Sequence, residues 1–160
     1  MFKLKRNIPN DSPQVIAPPP LIYLSGFTVG IVLHLLKPLP FLPKNLVLPL
    51  GVVLIVISIM LVITAMREFI KAKTNIDVRK PTTSIVSTGP YQFTRNPIYL
   101  SMTLLVLGIA VWVNTLWILI TLVLVLLVMQ FGVIAREEAY LVKKFGGEYL
   151  QYKTKVRRWM

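Results

Sequence analysis

The chain has 160 residues, 55% of them hydrophobic, with a mean hydropathy of +0.68, 18 basic against 6 acidic residues and a net charge of +12. The composition is too apolar for an ordinary soluble domain, and the length allows one domain at most. The absence of cysteine excludes disulfides, thiolate nucleophiles and cysteine metal sites, and the single histidine, His34, cannot build a multi-histidine site.

Residues 1–20 are polar and proline-rich, end in Pro18-Pro19-Pro20, and are expected to form an interfacial or disordered arm. The charged start runs into Asn, Pro, Asp and Ser rather than an apolar region, so it does not read as a cleaved signal. The first apolar run, 21–36, is slightly short for a bilayer, which takes ~20 helical residues. Pro18–Pro20 can open its helix, and Pro38, Pro40 and Pro43 block its continuation. The second span, 45–66, carries Pro49, placed by this reading in the first helical turn, where a missing N–H does no harm. From Arg67 to Lys73 charges alternate with Phe69, Ile70 and Ala72, so the helix is expected to emerge there into the headgroup layer.

Residues 74–96 connect the two apolar halves and are too long for a tight turn, which favours a functional loop. They hold Gly89-Pro90, Tyr91, Arg95 and Asn96. Two further spans, 97–113 and 115–135, meet at Asn114 as a tight hairpin with no charge in its hinge, and Gly108 permits close helix packing. Residues 136–160 are polar again. Glu137, Glu138, Leu141 and Phe145 recur at helical spacing, Gly146-Gly147 ends that helix, and a second short helix can follow from Glu148.

The predicted fold class is an all-α integral membrane protein: a single multi-pass domain of about four transmembrane helices, with 74–96 and 136–160 as site segments. With both termini cytoplasmic, sixteen of the eighteen basic residues face inward and only Lys37 and Lys44 face outward, as the positive-inside rule favours. Basic residues flanking apolar spans speak for membrane topology and anionic lipid partners, not for nucleic acid. The same orientation puts 74–96 and 136–160 on one face, where they can build one site.

That face offers the tyrosines Tyr91, Tyr99, Tyr149 and Tyr152, the carboxylates Glu137 and Glu138, the cation of Arg95 and the amide of Asn96. A carboxylate can hold an ammonium, and tyrosine faces attract a sulfonium. The set is consistent with S-adenosylmethionine without singling it out. Trp112, Trp117 and Trp159 read as interface anchors, and Lys143-Lys144 and Arg157-Arg158 as lipid-facing charge.

The stretch T-S-I-V-S-T-G-P-Y-x-F-T-R-N-P-I-Y from Thr83, an apolar hairpin, and R-E-E-x-Y-L-x-x-x-F-G-x-E-Y-x-x-Y from Arg136 together resemble the isoprenylcysteine carboxyl methyltransferase family and, more loosely, the phospholipid N-methyltransferases. The resemblance covers about residues 67–160. It implies a small helical membrane core with S-adenosylmethionine held at the cytoplasmic face. Its cofactor contacts carry over to Thr83, Ser84, Ile85, Val86, Tyr91, Asn96, Pro97, Ile98, Tyr99 and Glu137. Two positions depart from the eukaryotic pattern: Asn96 stands where they have His, and Val133 where they have a substrate-directed Arg.

The reaction implied is direct methyl transfer to an amphiphilic acceptor entering laterally between helices, a carboxylate first. Arg95, Glu138 and Tyr152 are the catalytic candidates, the last two only as weak proton acceptors for an amine or thiol. The rival readings are an NADPH-dependent membrane reductase related to sterol reductases and a non-enzymatic membrane scaffold.

Overall fold

A computed structural model describes residues 11–159. Residues 1–10, including Lys3, Lys5 and Arg6 of the topology argument, and Met160 lie outside the described residues. The protein is all-helical: α1 (Pro19–Leu36), α2 (Lys44–Lys71), a 3-10 turn (Gly89–Gln92), α3 (Pro97–Val113), α4 (Leu116–Val128), a π-helical segment (Met129–Ile134), α5 (Ala135–Phe145) and α6 (Gly147–Lys155). It is an integral membrane protein. Among the described residues three helical stretches, Pro19–Leu36, Lys44–Lys71 and Leu116–Phe145, are long and apolar enough to cross a bilayer, and the apolar α3 is slightly shorter.

Prolines set the helix starts. Pro19 and Pro20 occupy the first turn of α1, where no intrahelical acceptor exists for an N–H, and Pro97 does the same for α3. Pro49 differs from expectation. Because α2 begins at Lys44, Pro49 lies in its second turn, so the carbonyl of Asn45 loses its helical donor. That carbonyl sits at an exposed helix end where water can reach it.

α2 and α3 pack through a seam of small residues. The only buried positions of α2 are Gly51, Ser58 and Ala65, spaced seven apart, so they share one face. Opposite them, a Cβ added at Gly51 would come within 3.1 Å of Gly108 O, and Ser58 Oγ donates to Ser101 O at 2.7 Å. Small residues let the backbones approach, which supplies packing contacts where lipid gives no hydrophobic drive. The rest of α2, including Val53, Ile57, Met60 and Ile63, is exposed apolar surface suited to lipid. α1 joins α4 around Ile22, Ile118, Leu122, Val125 and Met129.

The last span does not stop at 135. It runs unbroken from Leu116 to Phe145 through the π-helical segment and becomes the polar-faced α5. All ends near the 72–96 connection, α5 and α6 gather at one end of the bundle. The 37–43 connection and the Asn114 turn close the other.

Candidate active site

The 72–96 connection is folded by hydroxyls that finish α2. Chain carbonyls just past a helix end lack helical donors, and here Ser84 Oγ donates to the C-cap carbonyl Ala72 O and Thr83 Oγ1 to Lys73 O, both at 3.1 Å. Val86 and Tyr91 then pack on Ala65 and Phe69. The turn before Tyr91 needs a left-handed residue at position 89, supplied by Gly89 at φ +60, where a Cβ would press on Glu68. Glu68 itself accepts from Thr88 and from Lys71.

The C-terminal tail locks onto this connection. Arg95 N donates to Arg157 O at 3.0 Å, while Thr94 Oγ1 and Asn96 Nδ2 both donate to Arg158 O, at 3.1 and 2.9 Å. Tyr152 OH donates to Tyr91 O at 2.7 Å. Glu138 accepts both nitrogens of the Arg158 fork, at 2.8 and 2.7 Å, and also meets Arg95 at 3.1 Å and Lys153 at 3.3 Å. Lys144 and Arg158 are therefore not lipid-facing charge: Arg158 serves Glu138, and Lys144 reaches Asp11 at 2.7 Å.

Between these segments lies a cavity of about 500 Å³. Of the cofactor contacts named from sequence, Ser84, Ile85, Val86, Tyr91, Asn96, Pro97, Ile98, Tyr99 and Glu137 line it, and so do Arg95, Glu138 and Tyr152. Thr83 does not; its hydroxyl and amide are used on Lys73 O and Thr74. Asn96 lines the wall with its amide already donated to the tail. Val133 is fully buried in the core, and Arg136 points to Gln14 O, so neither supplies a cavity cation.

The two neighbouring carboxylates differ sharply. Glu138 is held among three cations. Glu137 accepts from Tyr99 OH at 2.8 Å, and among the described residues no Lys or Arg is paired with it. The tyrosines of the site stay neutral, because burial raises the phenols of Tyr91 and Tyr152 well above their ordinary value and pushes Tyr149 up to about 12. A charged acceptor of protons is thus poorly supplied by Tyr152, and Glu138 has its lone pairs committed to guanidinium and ammonium.

Two parts of the wall escaped the sequence reading. Pro18–Pro20, Met66 and Phe69 are helix ends, and Asp77 to Arg79 form a turn within the connection. The N-terminal segment that leads into Pro18 escaped it as well, though it is not part of the wall. From Asp11 onward it is neither free nor merely interfacial. Ile16 N donates to Gly132 O at 3.2 Å within the π-helical segment, and the Ile16 side chain fills the space a Cβ at Gly132 would need. Tyr140 OH donates to Asp11 at 2.7 Å and accepts from Lys144 Nζ at 2.9 Å and from Thr82 N at 3.2 Å. One phenol so ties the N-terminal segment, the connection and α5 together.

A family model described as phospholipid methyltransferase (PEMT) matches residues 46–148. An uncharacterized protein of Haemophilus influenzae is 49% identical to this chain over 63 residues, which cover 39% of this chain and 98% of that protein.

Proposed function

This chain belongs to the phospholipid methyltransferase family, and on that premise we propose that it transfers a methyl group from S-adenosylmethionine to an amphiphilic acceptor, with a carboxylate as the first choice. The observation that carries the reading is Glu137: a carboxylate on the wall of a ligand-sized cavity, oriented by Tyr99 and paired with no cation among the described residues. Such a group suits the ammonium of a cationic, zwitterionic donor. Tyr91 and Tyr99 on the same wall offer ring faces to a sulfonium. When bound, S-adenosylmethionine supplies an electrophilic methyl group and leaves as S-adenosylhomocysteine.

The chain's own work is placement and exclusion of water. Glu137 and Tyr99 fix one end of the donor, and Ser84 to Val86 and Asn96 to Ile98 give the wall along it. The connection and the prolines Pro18–Pro20 close the wall around it. A carboxylate acceptor needs no general base, which agrees with a site whose phenols stay protonated and whose Glu138 is charge-balanced. The exposed apolar faces of the helices give a lipid-like acceptor a route from the bilayer. The charge distribution favours a cytoplasmic location for the cavity and both termini.

Thermal unfolding of the detergent-purified protein with S-adenosylhomocysteine, with NADPH and with neither tests this. A ligand at a hundred times its dissociation constant stabilises by about 2.7 kcal/mol. Stabilisation by S-adenosylhomocysteine alone is expected. No response to it at millimolar concentration, or a response to NADPH instead, overturns the proposal.

A further inference from the structure

The cavity wall carries a cation whose donors are mostly unspent. Arg95 lines the cavity, its side chain is 8% exposed, and its guanidinium brings five N–H donors. Nη2 meets Glu138 Oε1 at 3.1 Å, while Nε and Nη1 are sealed from water with no acceptor among the described residues. Buried polar groups are nearly always satisfied, and a charged donor left without a partner is among the costliest exceptions.

A purely structural Arg95 would spend those donors at the junction of the connection and the tail. The junction is complete without them. Arg157 O is taken by the Arg95 backbone, and Arg158 O by Thr94 and Asn96. Glu138 gives both of its oxygens to Arg158 and shares one of them with Lys153, so Arg95 receives only a side contact. Three cations thus surround one carboxylate, and the positive excess lies at the cavity wall.

We infer that Arg95 is an oxyanion seat: a ligand of this cavity places a carboxylate or phosphate group on its guanidinium while a cationic group meets Glu137. The inference deepens the proposed function and rests on it for the identity of the cationic ligand. The oxyanion has two sources, the α-carboxylate of the methyl donor or the headgroup of the acceptor. The backbone ties at 94–96 hold the side chain at the wall, and planar delocalised charge suits either oxyanion.

The test uses the full chain in neutral detergent and compares wild type, Arg95→Gln and Arg95→Lys. Arg95→Gln leaves Glu138 paired with Arg158 and Lys153, and Arg95→Lys keeps a charge at the wall should the glutamine variant fail to fold. The probes are S-adenosylhomocysteine and its decarboxylated analogue, then dodecyl phosphate, dodecanoate and dodecanol, each titrated by thermal shift. Arg95→Gln is expected to weaken an anionic probe by about tenfold or more and leave its counterpart without the anion within about threefold. Arg95→Lys is expected to fall between, because the point charge remains and the fork is lost. Loss confined to S-adenosylhomocysteine assigns the seat to the donor, and loss confined to the dodecyl anions assigns it to the acceptor.

Equal affinities in wild type and both variants overturn the seat, as does a wild type that no anionic probe stabilises. A wild type that ignores S-adenosylhomocysteine but binds the dodecyl anions through Arg95 keeps the seat and removes the donor.

Discussion

The two ends of the bundle solve the same problem in opposite ways. At the closed end a single residue does most of the work. Asn114 takes the left-handed conformation that ends α3, its side-chain oxygen accepts from Phe41 N and Leu42 N, and its amide donates to Leu42 O, all at 2.9 Å. Leu116 N donates to Leu39 O and Trp117 Nε1 to Lys37 O. What stays unpaired there is an imidazole nitrogen, His34 Nδ1, and a hydroxyl, Thr115 Oγ1. The site end holds all six acidic residues, every ion pair among the described residues and the cavity. Among the described residues it also leaves a carboxylate without a cation and a guanidinium with unpaired donors. An end that served only to join helices would gain stability by filling these vacancies, as the closed end shows is possible with one asparagine. Charge kept unpaired beside a cavity costs stability and is best understood as held for a ligand.

The comparison breaks most visibly if the closed end proves functional. Asn114→Ala removes three hydrogen bonds and puts a Cβ residue with no compensating side chain at positive φ. It should cost ~2–4 kcal/mol of stability in thermal or denaturant unfolding. Its affinity for S-adenosylhomocysteine should not change. A variant of normal stability, or one that loses ligand affinity while folded, would show that the two ends are not divided in this way. Glu137→Gln is the mirror experiment. It removes a charge-assisted contact to the donor, so S-adenosylhomocysteine should bind roughly 10–100-fold more weakly, while the unliganded protein is as stable as wild type or more so. Tyr99→Phe follows with a smaller effect. The carboxylate stays but loses its orienting hydroxyl, and a loss of about fivefold in ligand affinity is expected from one hydrogen bond of ~1 kcal/mol. If isothermal titration found Tyr99→Phe weaker than Glu137→Gln, the ring rather than the carboxylate would be the main contact.

The closed end was largely legible in the sequence, and the site end only in outline. Proline clusters, apolar length and the uncharged Asn114 hinge are local signals, so four helices and the hairpin follow from reading along the chain. Convergence of 74–96 with 136–160 followed from charge bias; twelve of the thirteen residues named as contacts or catalytic candidates line the cavity, but charge bias alone could place them only on a face, not as a wall. The roles of Thr83 and Asn96 needed three-dimensional partners: the carbonyl of Lys73 just past α2 for one, the carbonyl of Arg158 for the other. The π-helical segment has no signature of its own, because Met129 to Ile134 is one more apolar run until a backbone from elsewhere claims the carbonyl of Gly132. That backbone belongs to the N-terminal segment, whose polar, proline-rich composition carries no periodicity to announce a docking site.

That segment supplies the smallest expected effect, and the one with a defined pH dependence. The hydrogen bond from the Lys144 ammonium holds the Asp11 carboxyl below its ordinary value of 3.8, with the Tyr140 hydroxyl adding to it. A carboxyl whose folded pKa lies below its unfolded pKa stabilises the fold above the unfolded value, and that contribution disappears as pH falls through the folded one. Asp11→Asn should therefore cost ~0–1 kcal/mol at neutral pH, as partly exposed ion pairs do, and the gap to wild type should close as pH falls below 3.8 and through the lowered folded value. Because Asp11, Tyr140 and Lys144 do not line the cavity, S-adenosylhomocysteine should bind both proteins equally at pH 7. A stability gap that persists in acid would mean that Asp11 acts as a hydrogen-bond acceptor for Tyr140 rather than as a charge. A loss of ligand affinity in Asp11→Asn would move the N-terminal segment from the scaffold to the cover of the site, and the divide drawn between the two ends would then run through the first residues of α1 as well.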